Sequence, residues 1–441
     1  MSTDAPGVFA AQHGKRPSLC ADFSWMFVGN ALYAGGQFAT LMLLAKLVRP
    51  ELVGQYALGL AVVYPVMMLT NMQLRAVMTS GARQQTHFGH YLSLRLLTTS
   101  LALVIIFAIT QILGYRRNLT AVVTMVGVAY AIETISDVYY ARLQLHERMA
   151  EISKSLIARA LLSVLGLAVT TYVSRNLLWG VTAVVLARVI VLFGYDICER
   201  THGLGGQSKW FSRNDALAPR FDLKVQRELL WLSLPLGIVV LLTTLNSSVP
   251  SYFIKHALGE RDLGIFSAIG FMISVGNMAV MSLGQSAFTR LARSYATGNL
   301  VAFGLLLGKL LAFGAMLGVC GMIISRLAGR EILIILFRPE YAERADLLPW
   351  IMAVGGVLFM AQFLGFGMTA AGYYNSQVIL NILANLSLFA ACYWFVARQG
   401  LFGATFAMLI AAIVQLAGSA LVLIIGMRMH TPACVERVET A

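Results

Sequence analysis

The sequence predicts an all-α integral membrane protein with about twelve transmembrane helices in two homologous six-helix lobes. Hydrophobic residues make up 58% of the 441 residues and charged residues only 12%, whereas a soluble protein has about 25% charged residues. Long stretches without charge recur along the chain, and segments of the first half are echoed in the second. Together these observations indicate a polytopic membrane protein built from two related halves.

The predicted spans follow from the length of the apolar stretches, because a helix needs about 20 apolar residues to cross roughly 30 Å of hydrocarbon. Charge-free stretches of this length occur at 23–45, 52–74, 96–115, 229–254, 263–289 and 399–427. The run 347–397 is long enough for two helices, and the segment that begins at Gly372 predicts a turn in its middle. Segments with one or two charges complete the set, at 118–139, 155–174, 176–196 and 300–325.

The internal repeat is clearest when each position is compared with the position 210 residues later. Gly54 then falls on Gly264, and the residues that follow the two glycines are similar. A second match, at an offset of 223, sets Gly180 against Gly403. Repeated halves in an apolar chain are typical of transporters.

The charge pattern predicts the division and the orientation of the chain. We expect a tail, a six-helix lobe, a linker, a second lobe and a tail, at 1–22, 23–196, 197–228, 229–427 and 428–441. More Lys and Arg residues fall in loops on the side of the N-terminus, so the positive-inside rule places both termini in the cytoplasm. The net charge of +13 does not indicate a nucleic-acid partner, because the basic residues are scattered among short loops.

The sequence contains no motif of a soluble catalytic module. It has no phosphate-cradling Walker loop, no HExxH and no nucleophile elbow, and its five cysteines lack metal or redox spacing. We therefore expect neither an enzyme nor a bound metal or cofactor, and no ATP-driven transport by this chain alone.

Ionisable residues within the spans are the candidate site residues, since each costs roughly 2.5–3.5 kcal/mol in hydrocarbon unless it is paired or hydrated. Arg75, Arg188 and Lys309 lie in the cytoplasmic half of their helices and predict a cationic cavity for an anionic headgroup. Anchoring at the interface is the alternative for such long side chains. Glu133 and Asp137 share a helix face, where they could neutralise a basic residue or bind a coupling cation, Na⁺ or H⁺.

Uncharged polar residues also interrupt the apolar spans. Asn30 and Gln37 lie in the first predicted helix and Asn246 in the seventh, and the repeat makes these two helices equivalent. The pattern predicts a symmetric pair of gating helices that line a central cleft. Hydrogen bonding between packed helices is the alternative interpretation.

Three short segments resemble motifs of bacterial polysaccharide flippases. The first is LFRPEYAE at 336–343, before the tenth predicted span, and the second is GLFGATFA at 400–407, which opens the last span. The start of the second span, GQYA at 54–57, is also similar. The chain thus resembles the flippase family within the multidrug, oligosaccharidyl-lipid and polysaccharide exporter superfamily.

The resemblance implies two lobes that give alternating access to a central cavity. It implies translocation of an undecaprenyl-diphosphate-linked oligosaccharide across the bacterial inner membrane, for O-antigen (lipopolysaccharide), capsule or exopolysaccharide assembly. Membrane lipid and other polysaccharide assembly proteins are the partners that follow from this role. The roles of Arg188 and Lys309 rest on their depth and charge, because neither lies in a shared motif.

Two other functions compete with this interpretation. A cation-coupled multidrug antiporter of the same superfamily would have an acidic central site, whereas the deepest charges here are mainly basic. A membrane-embedded polysaccharide polymerase or ligase would carry a large external loop with clustered catalytic residues. The sequence offers no loop of that kind.

Overall fold

The computed structural model describes residues 19–79, 87–145, 148–197 and 219–429, and these ranges are almost entirely helical. No β-strand occurs within them. Most of the two predicted tails and most of the predicted linker lie outside the described residues.

The first lobe, where the structure describes it, contains seven α-helices. They are α1 (Leu19–Leu47), α2 (Pro50–Asn71), α3 (Leu74–Thr79), α4 (Phe88–Ile112), α5 (Arg117–Leu145), α6 (Met149–Ser174) and α7 (Leu177–Val191). A π-helix, Leu192–Ile197, continues α7. The second lobe contains α8 (Leu223–Leu258), α9 (Glu260–Gly270), α10 (Ile273–Ala296), α11 (Leu300–Leu336), α12 (Pro339–Ala342), α13 (Leu347–Ala370) and α14 (Tyr374–Met429).

Eleven helical segments of the described chain are long and apolar enough to cross a membrane. The last of them, α14, has 56 residues and breaks at Gly400, where φ is 60° and ψ is −132°. Its two arms therefore supply two crossings, which brings the structure to the predicted twelve. The turn predicted in the long apolar run is also present, because α13 ends at Ala370 and Gly372 adopts a left-handed φ of 81°.

Several helices begin earlier than the apolar pattern predicts. The third and fifth crossings show this clearly, since α4 begins at Phe88 and α6 begins at Met149. At 1.5 Å per residue, Arg95 lies about 10 Å and Arg159 about 15 Å beyond the start of its helix. Both arginines are thus inside the helical bundle rather than at its edge.

The two lobes meet where α2 and α9 begin, at what we call the glycine end of the molecule. A Cβ atom at Gly54 would overlap the carbonyl oxygen of Glu260, and one at Gly264 would overlap that of Pro50. The two overlaps are related by the same 210-residue offset, so the contact is two-fold. Glycine at both positions allows the two backbones to approach this closely. The predicted topology places the glycine end outside the cell.

The last crossing of each lobe folds back on the preceding helix in the same way. A left-handed residue makes the turn, Arg175 with φ of 52° in the first lobe and Gly400 in the second. A few residues later, Gly180 and Gly403 lie close against the preceding helix, and a Cβ atom at either position would overlap an atom of that helix. The second sequence match therefore corresponds to a shared helical hairpin.

The lobes are joined along one side of the molecule. Tyr252 of α8 donates a hydrogen bond to the carbonyl of Ala61 in α2 at 2.6 Å. Nearer the opposite end, called the linker end because α8 begins there, Gln226 donates to Ser93 of α4 at 2.9 Å. Hence α8 lies against the first lobe over most of its length.

On the opposite side of the molecule the two lobes are separated over part of their length. Close to the glycine end they are in contact through the stacking of Phe38 on Phe271, with ring centroids 5.8 Å apart. Towards the linker end, α1 and α10 are not packed against each other within the described chain. Both expose large apolar side chains, among them Trp25, Phe27 and Leu32 of α1 and Val275 and Met281 of α10. The two lobes thus enclose a cleft that is closed at the glycine end and parted on one side.

We expect Gly54→Val to keep the lobes from closing at the glycine end, because the new side chain would overlap the backbone of α9. The measurement is cross-linking of Gln55→Cys to Glu260→Cys by a short bis-maleimide in a cysteine-free background, since these two side chains hydrogen-bond at 2.8 Å. Cross-linking should fall severalfold. Gly35→Val is the control, because its Cβ would meet nothing within 4 Å. Equal yields in the two variants would contradict the assigned contact.

Candidate functional site

The polar interior of the first lobe is built around α5. Tyr130, Glu133, Asp137 and Tyr140 recur every three or four residues and form one stripe along this helix. The Glu133 and Asp137 side chains are 25% and 24% exposed. The stripe therefore borders an opening rather than a closed apolar core.

The first group of side chains is the Glu133 cluster, which consists of Glu133, Arg188, Tyr130, Tyr33 and Gln37. Arg188 Nη1 lies 2.8 Å from Glu133 Oε2 and also donates to the backbone carbonyl of α5 at 2.8 Å. Its guanidinium lies 4.9 Å from the centroid of the Tyr130 ring. Because Arg188 is buried, these three contacts offset the cost of removing its charge from water.

The same cluster ties α1 to α5. The Tyr33 hydroxyl donates to Glu133 Oε1 at 2.5 Å and accepts a hydrogen bond from Gln37 Nε2 at 3.0 Å. Asn30 lies on the same face of α1 and is exposed, with its amide donating to the carbonyl of Met26. The predicted polar face of α1 thus borders the carboxylate of Glu133.

The second group is the Asp137 cluster, in which two arginines share one carboxylate. Arg75 Nη1 lies 3.3 Å from Asp137 Oδ1, and its Nε donates to Gln144 at 2.9 Å. Arg95 Nη2 lies 3.8 Å from Asp137 Oδ2 and donates to the Asn71 side chain at 3.1 Å. Arg95 is fully buried, whereas the Arg75 side chain is 26% exposed. Arg75 is therefore the arginine of this cluster that an anion can reach.

The third group, the Asp196 cluster, is closed to solvent. Arg159 Nη2 lies 3.1 Å from Asp196 Oδ2, and both side chains are 1% exposed. Ser155 donates to Asp196 Oδ1 at 2.5 Å and lies 2.7 Å from the Tyr140 hydroxyl. Asp196 is carried by the π-helix that continues α7, and π-helical turns are frequent at functional sites.

The three clusters together hold one more cation than they hold carboxylates, since Arg75, Arg95, Arg159 and Arg188 face Glu133, Asp137 and Asp196. The buried Nε atoms of Arg95, Arg159 and Arg188 have no hydrogen-bond partner. A buried charge without a counter-charge is costly. The interior of the first lobe is therefore suited to an anion.

The structure brings together Arg75, Arg188, Glu133 and Asp137, which the sequence singles out. Lys309 is not brought to them. It lies on the exposed face of α11, and α11 packs on helices of the second lobe. Asn246 is half-buried on α8. In the described ranges, no group of three or more His, Cys, Asp or Glu side chains could hold a metal ion.

Sequence reasoning missed Arg95, Arg159 and Asp196. Arg95 lies just before the predicted span 96–115, and Arg159 and Asp196 lie within four residues of an end of the spans 155–174 and 176–196, so all three were treated as belonging to the membrane edge. The apolar residues just before Arg95 and the amphipathic start of α6 were the signal that the helices begin earlier.

A family model and a curated relative both relate this chain to polysaccharide biosynthesis proteins. Residues 19–294, more than half of the chain, match the family described as "Polysaccharide biosynthesis protein". The chain is 25% identical over 400 residues to the capsular polysaccharide biosynthesis protein CapF of Staphylococcus aureus, with 90% of this chain and 97% of that protein covered.

Solved structures with the same fold are transporters. The lipid II flippase MurJ in an inward closed conformation superposes with a TM-score of 0.72 at 10% identity, over 91% of this chain and 88% of that chain. An inward-facing multidrug resistance MATE family transporter of the MOP superfamily gives 0.65 at 13% identity, over 92% and 96%. The two-lobed all-α fold predicted from the sequence is confirmed.

We expect Arg159→Ala to destabilise the protein by about 3–5 kcal/mol, because it leaves the buried Asp196 carboxylate without its counter-charge. The measurement is equilibrium unfolding of the purified protein in mixed micelles. The matched control is Arg261→Ala, which removes an exposed pair with Glu343 at 3.4 Å and should cost no more than about 1 kcal/mol. Equal losses in the two variants would show that the Asp196 cluster does not support the fold.

Proposed function

Because the chain belongs to the polysaccharide biosynthesis protein family, we propose that it translocates an undecaprenyl-diphosphate-linked oligosaccharide across the bacterial inner membrane. The product would serve O-antigen, capsule or exopolysaccharide assembly. The observation that carries the proposal is the excess positive charge inside the first lobe, which borders a cleft in a fold shared with transporters.

The Asp137 cluster is the proposed site for the diphosphate. Phosphate oxygens in a medium of low dielectric need charge-assisted donors. Arg75 is partly exposed and shares Asp137 with Arg95, so one carboxylate serves two cations and leaves them incompletely neutralised. A diphosphate beside Arg75 would supply the missing negative charge, and Arg188 lies on the same side of α5 to support it. Lys309 stands outside this proposed site.

The parted side of the molecule is the proposed route for the lipid tail. An undecaprenyl chain favours hydrocarbon and would cost much to pull into a polar cleft. Between α1 and α10 the lobes are parted towards the linker end, and the flanking side chains are apolar. A headgroup can therefore enter the cleft there while its tail remains in the bilayer.

Glu133 and Asp137 remain our candidates for energy coupling. Moving one charge through 100 mV of membrane potential is worth about 2.3 kcal/mol, so a counter-ion such as Na⁺ or H⁺ can drive a change of access. Glu133 accepts from Tyr33 of α1, and we propose that a cation bound there would loosen α1 from α5.

The competing functions have less support. A multidrug antiporter for cationic drugs needs an acidic central site, whereas the three clusters hold one more arginine than carboxylates. A polymerase or ligase needs a large external module, and the longest connection at the glycine end in the described chain is the ten-residue segment 337–346, which contains α12.

The test is complementation of a strain from which the gene has been deleted. We expect undecaprenyl-linked glycan to accumulate on the inner leaflet, and wild-type protein to relieve the accumulation. Arg75→Ala and Arg188→Ala should reduce transport about tenfold or more, since a hydrogen bond to a charged group is worth about 1.5–3 kcal/mol. Arg330→Ala, at an exposed position, is the control with the same change of charge and should behave as wild type.

Normal glycan export in the deletion strain, accompanied by altered resistance to cationic drugs, would refute the flippase proposal and support the antiporter. Full activity of Arg75→Ala at wild-type abundance in the membrane would refute the assigned diphosphate site alone.

A further inference from the structure

An aromatic surface borders the Glu133 cluster. Tyr64 projects from α2 with 38% of its surface exposed, although it lies among helices of the first lobe. Its ring meets the ring of Tyr130 edge to face, with centroids 5.8 Å apart and an interplanar angle of 82°. Tyr130 is itself buried and carries Arg188 over its ring. Tyr64 thus presents an exposed aromatic ring that is held in position by its packing on Tyr130.

Hydrogen-bonding groups lie next to this aromatic surface and are held in place. Glu133 is partly exposed, and its two oxygens are fixed by Arg188 and Tyr33. Gln37 is half-buried and bonded to Tyr33, and an amide can both donate and accept hydrogen bonds. The surface therefore combines one apolar plane with several oriented polar groups.

This combination suits a sugar ring better than a phosphate. A pyranose presents a flat C–H face that packs on an aromatic ring, and hydroxyls around its rim that both donate and accept. Glu133 is neutralised by Arg188, so the pair offers a phosphate no net attraction, whereas Glu133 Oε1 can accept hydrogen bonds from hydroxyls. The Asp137 cluster has the opposite character, because two arginines surround its single carboxylate.

The spacing of the two clusters fits a substrate in which diphosphate and sugar are covalently adjacent. Glu133 and Asp137 are one turn apart on α5, which corresponds to about 6 Å along the helix. Arg75, at the Asp137 cluster, follows Tyr64 along the chain and lies nearer the linker end. Tyr64 packs on Tyr130, seven residues before Asp137, and so lies about 10 Å along α5 from the Asp137 cluster. A diphosphate on Arg75 would therefore place its first sugar beside Glu133 and direct the glycan towards Tyr64.

We propose that Tyr64, Glu133 and Gln37 form a subsite for a pyranose ring of the transported glycan, distinct from the diphosphate site at Arg75. This inference rests on the proposed function. It assigns recognition of the sugar to the first lobe and to side chains other than the arginines.

The test compares two ligands on the purified full-length protein in nanodiscs. One is sugar-free undecaprenyl diphosphate, and the other is the lipid-linked oligosaccharide extracted from the deletion strain. Wild type should bind the glycan-bearing lipid more tightly. In Tyr64→Leu the ratio of the two affinities should fall about threefold to tenfold, as expected for the loss of one aromatic contact. This variant should bind the sugar-free lipid as wild type does. Tyr64→Phe should retain the preference.

Tyr393→Leu, at an exposed tyrosine of the second lobe, is the matched control and should leave both affinities unchanged. An equal loss of affinity for both lipids in Tyr64→Leu would overturn the sugar subsite and leave the proposed function standing. Wild type that binds both lipids equally would overturn the subsite as well. Wild type that binds neither lipid would overturn the proposed function and the subsite together.

Discussion

The cost of an unpaired charge in hydrocarbon determines the interior of the first lobe. Glu133, Asp137 and Asp196 each face an arginine, and the second oxygens of Glu133 and Asp196 accept hydrogen bonds from a tyrosine and a serine. The partners come from different helices, and α5 packs on α2, α3, α4, α6 and α7. Satisfying the charges therefore fixes how these helices are arranged around α5. The same pairing leaves one cation in excess, so the demands of stability and of anion binding are met by one set of residues.

The two lobes share a backbone plan but differ in chemistry. Among the described residues, the buried charged side chains are Arg95, Arg159, Arg188 and Asp196, all in the first lobe. The described interior of the second lobe is uncharged, with Phe303 and Phe363 among its fully buried side chains. The repeated features are glycines and turns, which fix how helices approach each other and leave the remaining side chains free to differ. A two-fold fold can therefore present an asymmetric site to an asymmetric substrate.

The sequence predicted the parts of the structure that depend on local pattern. The crossings, the turn at Gly372 and the shared face of Glu133 and Asp137 all follow from apolar length and helical period. The partners of those carboxylates did not follow, because pairing joins residues far apart in the chain. Arg95 and Arg159 were missed because their helices extend past the apolar run into the membrane–water interface, where amino-acid composition no longer distinguishes a helix from a loop. The face on which a lone basic residue lies is likewise set by the packing of α11, which no local pattern around Lys309 records.

The contact between the starts of α2 and α9 has a consequence for the origin of the chain. Gly54 meets the residue equivalent to Pro50, and Gly264 meets Pro50 itself, so the interface is self-complementary in the manner of a symmetric homodimer. Two separate copies of a single lobe could form the same contact without any change. Fusion of two such copies into one chain would have required no new interface, and each lobe could then diverge in its interior while both glycines were retained. A first lobe with a charged interior and a second lobe with an uncharged one are what such divergence would leave.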